Sequence, residues 1–187
     1  MLNKHWTDNL NEVIANFEKK DIIGKVFNEF LDITYRLDWT GACHESSSAI
    51  YVLLKESGID CKWKLGEVKA NDYFFDHSWI EINGKVFDIA ITKTLQEEAR
   101  NAPIINDIDI ETDKVHNIEY GAVSGLEFSP QTIMVQNINL SDYLSNSPIS
   151  PIGTWAVVID VAKKQMNMNL NLPDLILKYQ GKFYEQA

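Results

Sequence analysis

The chain has 187 residues, a formal net charge of -10 and no cluster of lysine or arginine. An acidic surface without a basic patch binds nucleic acid and anionic membranes poorly, so we expect neither as a partner. No apolar run approaches the ~18 residues of a membrane span, and the N-terminus lacks the apolar core of a signal peptide. Two cysteines, Cys43 and Cys61, are too few for a disulfide framework. We therefore predict a cytoplasmic protein.

The first third of the chain predicts three helices. Apolar residues recur at helical spacing over residues 8–19, 21–37 and 43–57, and Thr7 is the predicted cap of the first helix. Cys43 then lies in the first turn of the third helix. Free N–H groups and the helix dipole favour a thiolate at such a position.

Strands are predicted next, over residues 61–69, 77–82 and 85–91. The dipeptide Asn83-Gly84 stands between the last two and is a strong signal for a two-residue hairpin turn.

This turn fixes a register in which Ile80 faces Phe87 and Trp79 faces Asp88. Side chains alternate between the two faces of a sheet, so His77 and Asp88 share one face. As diagonal neighbours they lie about 7–8 Å apart at the backbone, within reach of an imidazole–carboxylate hydrogen bond. The apolar side chains on the opposite face are suited to a core.

The remainder of the chain is less regular. Its predicted elements are a short helix over 93–99, a strand near 117–120, a strand over 131–138, a helical turn over 141–144, either a strand or a buried helix over 154–161, and a last helix from Pro173 to about Tyr179.

Three residues have contexts that suit acyl transfer through a thioester. Cys43 is the candidate nucleophile, His77 the base and Asp88 the carboxylate that orients the imidazole. The backbone N–H of Cys43 is a natural oxyanion donor, and the indole N–H of Trp39 is a candidate for the second. Trp79 is expected to form a wall of the site.

These motifs resemble the transglutaminase-like superfamily, which is distantly related to papain-like peptidases. The resemblance covers residues 39–91 and rests on Gly41-Ala-Cys43 at a helix start, His77-Ser-Trp79 on a strand and Phe87-Asp88 on the next. It implies an α+β fold in which N-terminal helices and a catalytic-cysteine helix pack on an antiparallel sheet.

We predict a single transglutaminase-like domain over residues 1–187. Residues 1–38 form its helical N-terminal part, 39–91 its catalytic core, and 92–187 the remaining sheet and the C-terminal helix.

The expected function is thiol-dependent acyl chemistry on an amide through a Cys-His-Asp triad. The enzyme would be a cysteine peptidase or amidase, or a protein-glutamine acyltransferase, since the sequence does not choose between hydrolysis and transfer. Its substrate is a peptide or protein amide, with or without an amine acceptor, and no cofactor is required. The oligomeric state and the acyl donor are not specified by the sequence.

Two alternatives remain at this point. The first is a binding module that keeps the fold without the chemistry. The second is a zinc site built from Cys43, His44, His77 and Asp88, which is disfavoured because adjacent residues of a helix point in different directions. We expect His44 to lie at the surface or beside the site, and Cys61 to be structural or half exposed.

Overall fold

The computed structural model describes residues 4–187 and has a mixed α+β fold, as predicted. Within this range one sheet has the strand order β6-β5-β4-β3-β2-β1-β7, with β8 added in parallel to β1 and all other pairs antiparallel. The strands are β1 (Lys62–Ala70), β2 (Tyr73–Ile82), β3 (Lys85–Asp88), β4 (Ile104–Ile105), β5 (Ile108–Asp109), β6 (Lys114–Val115), β7 (Glu119–Ala122) and β8 (Glu185–Gln186).

Helices flank this sheet. They are α1 (Lys4–Val13), α2 (Lys20–Arg36), α3 (Cys43–Glu56), α4 (Pro130–Asn137), α5 (Leu140–Asn146), α6 (Trp155–Met166) and α7 (Leu172–Tyr179), with 3₁₀ turns at Ala90–Lys93 and Glu97–Ala99. None of the helices described is long and apolar enough to cross a membrane.

The α3 helix lies at the centre of the main core. It contacts β1 and β2 of the sheet as well as α2 and α6. Its side chains Ile50, Leu53 and Leu54 are buried, and Phe27 of α2 packs its ring 5.3 Å from that of Phe87 on β3. The packing therefore fixes the start of α3 relative to the β2–β3 hairpin.

The β2–β3 hairpin has the predicted register. Ile80 pairs with Phe87 and Ile82 with Lys85, and the two turn residues Asn83 and Gly84 have φ values of 54° and 73°. Positive φ at both positions is what a type I′ turn requires.

The predicted strand over 85–91 is wrong at its end, because β3 stops at Asp88. The carboxylate oxygen Oδ1 of Asp88 accepts the backbone N–H of Ala90 at 2.9 Å and of Ile91 at 3.2 Å. A side chain that satisfies the following N–H groups starts a helical turn instead of a strand. The predicted helix over 93–99 is likewise replaced by the two 3₁₀ turns.

The predicted strand over 131–138 is also wrong, since this segment is the helix α4. Ser129 caps it by accepting the N–H of Thr132, and Pro130 occupies the first turn. Both residues are signals of a helix start, and they favour the helix over the predicted strand. Thr7, the predicted cap of the first helix, lies inside α1, and this helix ends at Val13. The segment near 154–161, for which a strand and a buried helix were both open, is the helix α6.

The loop before α6 generates a stability prediction. Gly153 has a φ of 63°, and a Cβ there would lie 2.0 Å from the carbonyl oxygen of Leu144 at the end of α5. Gly84 also has a positive φ, but a Cβ there would meet nothing within 4 Å. We expect Gly153→Ala to lower the free energy of unfolding by about 3 kcal/mol or more, from strain and collision together.

Urea denaturation measures this effect, with Gly84→Ala as the matched control. The control has backbone strain alone and should lose only about 1–2 kcal/mol. Equal losses in the two variants would contradict the predicted collision.

Candidate active site

Cys43 is the first residue of α3 and lines a cavity of about 450 Å³. It is half-buried and has a free thiol. The first N–H groups of a helix have no acceptor within it, so they face the space in front of Cys43. Just before it, the N–H of Gly41 donates to the carbonyl of Lys93 at 2.8 Å, which ties this turn to the chain that follows Asp88.

His77 lies on β2 with only 1% of its surface exposed, and it lines the same cavity as Cys43. Its Nε2 lies 2.8 Å from Oδ2 of Asp88, which is the contact expected from the hairpin register. Burial alone would lower the pKa of His77, but the negative charge of Asp88, that of a Cys43 thiolate and hydrogen bonds to both raise it to about 10. The imidazole therefore lies between a carboxylate and a thiol.

Asp88 is buried, and its oxygen atoms accept four hydrogen bonds. Oδ1 accepts the two backbone N–H groups of the 3₁₀ turn, while Oδ2 contacts His77 and accepts the hydroxyl of Tyr120 at 2.8 Å. A carboxylate with this many partners is held in one orientation. Asp88 can therefore fix the tautomer and the ring orientation of His77.

Tyr120 is a site residue that the sequence analysis missed. It stands on β7, on the far side of β1 from β2, and its ring packs 4.9 Å from that of Trp79. Burial, and then the charge of Asp88, raises the pKa of its hydroxyl well above the ordinary value, so it stays a donor. The sequence contains no signal for this contact, because it joins residues 32 positions apart.

The two tryptophan candidates lie outside the cavity. Trp39 packs against the main core, and Trp79 is 1% exposed in a second apolar cluster beside Tyr120. The indole N–H of Trp79 has no hydrogen-bond partner. In this structure Trp79 packs against Tyr120 and does not line the cavity as expected, while Trp39 is half-buried against the main core and is likewise not among the cavity-lining residues.

His44 is buried beside the site, which is the second of the two positions expected for it. Its Nδ1 lies 2.6 Å from Oγ of Ser78, and its Nε2 lies 3.4 Å from Oγ1 of Thr132. Burial, helped by the neighbouring charge of His77, lowers its pKa to about 4. His44 is thus a neutral link between α3, β2 and α4, with both ring nitrogens occupied.

Ten of the residues that line the cavity belong to the segment 129–148, which contains α4 and α5. The cavity surface is mostly apolar, with Phe75, Met134, Val135, Ile138, Tyr143 and Pro148 among the lining residues. Asp76 holds α4 in place by accepting the N–H of Ser129 at 2.6 Å. An apolar cavity beside a thiol is suited to an acyl or peptide group.

Cys61 lies apart from the cavity, in the main core. It is buried, and burial raises the pKa of its thiol to about 12. Over residues 4–187, no group of three or more His, Cys, Asp and Glu side chains is arranged to hold a metal ion.

Residues 24–100 match the family model of the transglutaminase-like superfamily, so this segment is identified as transglutaminase-like. The resemblance stated from residues 39–91 is thereby confirmed. The superfamily generally comprises cysteine-dependent enzymes. No curated protein and no solved structure gives a significant match to the chain. Tyr120 and the helices α4 and α5 lie outside the matched segment.

His44 generates a prediction about acid stability. Its pKa falls from the ordinary 6.5 to about 4 on folding, so the native protein binds fewer protons than the unfolded chain between these values. The contribution of neutral His44 is fully present above pH 6.5 and is lost as the pH falls towards 4. We expect the free energy of unfolding to decline more steeply over this window in the wild type than in His44→Gln.

Urea denaturation at several pH values measures the two slopes. If His44→Gln keeps the wild-type slope, the neutral link between the three elements is not formed.

Proposed function

We propose that this protein performs thiol-dependent acyl chemistry on a peptide or protein amide, with Cys43 as nucleophile, His77 as base and acid, and Asp88 as the orienting carboxylate. The observation that supports this most strongly is the arrangement of His77. Its Nε2 is held by Asp88 at 2.8 Å, and its other side faces Cys43 at the start of α3.

The first half of the reaction forms a thioester. His77 takes the thiol proton, the sulfur of Cys43 attacks the carbonyl carbon, and the oxyanion accepts the free backbone N–H at the start of α3. The carbon–nitrogen bond then breaks, and His77 returns the proton to the leaving amine.

The second half releases the acyl group. A water or an amine attacks the thioester, its proton passes to His77, and the carbon–sulfur bond breaks to restore the Cys43 thiolate. Hydrolysis and transfer share every protein group, so the two differ only in which acceptor reaches the thioester.

The cavity supports a peptide or protein amide as the substrate. Its apolar walls and its volume of about 450 Å³ suit a side chain or a short extended segment of a peptide. A cytoplasmic location belongs to the same proposal, since a reducing compartment keeps Cys43 as a thiol.

Acylation by p-nitrophenyl acetate tests the nucleophile. We expect a burst of nitrophenolate and a single acetyl group on the peptide that contains Cys43, because an activated thiol attacks such an ester. Cys43→Ala should lose both, while Cys61→Ala should keep both, since Cys61 lies in the core. A burst that survives in Cys43→Ala would refute the proposed nucleophile and favour the binding-module alternative.

The hydrogen bonds that connect His77 to Asp88 and Asp88 to Tyr120 predict a graded effect of two substitutions. Asp88→Asn should slow acylation about 10²–10⁴-fold, because the amide no longer fixes the tautomer or stabilises the imidazolium. Tyr120→Phe removes one hydrogen bond to Asp88 and should slow it only about 3–30-fold.

The pH dependence of the acylation rate, measured by stopped flow, distinguishes a positioning role of Tyr120 from a purely structural one. In Tyr120→Phe we expect the pH profile to shift as well as the rate to fall, because the charge of Asp88 is then less well held. A Tyr120→Phe enzyme with the wild-type rate and profile would show that Tyr120 only packs against Trp79.

A further inference from the structure

Glu45 is a charged residue in the cavity that the proposed reaction does not use. It belongs to the first turn of α3, two positions after Cys43, and it is half-buried. Tyr143 of α5 lines the same cavity and donates a hydrogen bond to its carboxylate. The acidic group therefore stands within the space that a substrate of Cys43 would enter.

Within residues 4–187 no cation is paired with Glu45, since His77, whose pKa is raised to about 10, is already held between Asp88 and Cys43. Over this range Glu45 forms no ion pair, and none of the residues that line the cavity is lysine or arginine. His44 is neutral at pH 7, since burial lowers its pKa to about 4. The nearby carboxylate of Asp76 already accepts a backbone N–H. A carboxylate that is partly desolvated without a counter-charge is costly, and a cationic ligand removes that cost.

Burial raises the pKa of Glu45 above its ordinary value, although its own backbone N–H and the Tyr143 hydroxyl oppose this. The cavity that Glu45 lines also has the apolar side chains Met134, Val135 and Ile138 in its wall. An alkyl stem that ends in a positive charge buries its methylene groups against such a wall while its head reaches a carboxylate.

We propose that the part of the cavity at Glu45 is a subsite for a cationic group on an alkyl stem, such as a lysine-type ammonium. The carboxylate of Glu45 selects this group. The subsite deepens the proposed function and rests on it, because it specifies what is delivered to Cys43. The ammonium belongs to the acyl donor, because an amine acceptor must be deprotonated before it can attack the thioester.

Charged thiol reagents test the subsite without a known substrate. Cationic 2-aminoethyl methanethiosulfonate and anionic 2-sulfonatoethyl methanethiosulfonate differ mainly in the sign of their charge. For each reagent, the rate at which Cys43 is modified is divided by the rate at which the same reagent reacts with glutathione. Peptide mapping verifies that the modified residue is Cys43 and not Cys61. We expect the normalised ratio of the cationic to the anionic rate to exceed one in the wild type.

Glu45→Gln should lower this ratio at least about fivefold, because it removes the charge and keeps the shape. Glu12→Gln makes the same chemical change on the exposed surface of α1 and should leave the ratio unchanged. Glu45→Ala is a second variant that should match Glu45→Gln. A ratio that is the same in the wild type and in a folded Glu45 variant would overturn the proposal.

A pair of esters tests the subsite with an acyl donor. Acylation by p-nitrophenyl 6-aminohexanoate is compared with acylation by p-nitrophenyl hexanoate in the wild type and in Glu45→Gln. We expect the wild type to prefer the amino ester and Glu45→Gln to lose this preference. An equal preference in the two proteins would overturn the subsite.

The outcome is separable from that of the proposed function. Methanethiosulfonates modify any accessible thiol, so a charge preference that depends on Glu45 supports the subsite even if Cys43 proves unactivated. Conversely, rapid acylation of Cys43 without any dependence on Glu45 supports the proposed chemistry and rejects the subsite.

Discussion

The carboxylate of Asp88 is the group on which the arrangement of the site depends. One of its oxygens accepts the N–H groups that turn the chain out of β3, and the other holds His77 and the hydroxyl of Tyr120. The same side chain thus ends a strand, starts a 3₁₀ turn and orients an imidazole. Because all of these partners are buried or partly buried, removing the charge disturbs local structure and chemistry together.

The two histidines of the cavity show how burial and charge act in opposite directions. His44 is buried between hydroxyl groups, and its pKa falls to about 4. His77 is at least as buried, but Asp88 and Cys43 raise its pKa to about 10. One imidazole is therefore a neutral link between elements, whereas the other is suited to hold and transfer a proton. Their difference comes from their partners, since both lie at the same cavity.

The parts of the site that could be predicted from the sequence are those with local determinants. The dipeptide Asn83-Gly84 and the alternation around it determine the register that brings His77 to Asp88, and helical spacing places Cys43 at the start of α3. Tyr120 could not be predicted, because β7 reaches Asp88 only through its pairing with β1. Helix α4 was mistaken for a strand because the cap at Ser129 decides its structure more than the apolar pattern does. Consequently the part of the cavity wall that α4 and α5 supply was absent from the predicted site.

The central claim is that Cys43 and His77 act as a pair, and the pH dependence of iodoacetamide labelling tests it most directly. Peptide mapping gives the rate at Cys43 in the wild type and in His77→Ala. We predict rapid labelling at about pH 6–7, below the ordinary free-thiol pKa of about 8.5, and its loss in His77→Ala. Slow labelling that follows an ordinary thiol, with the same profile in both proteins, would contradict the pair and make Cys43 a structural residue.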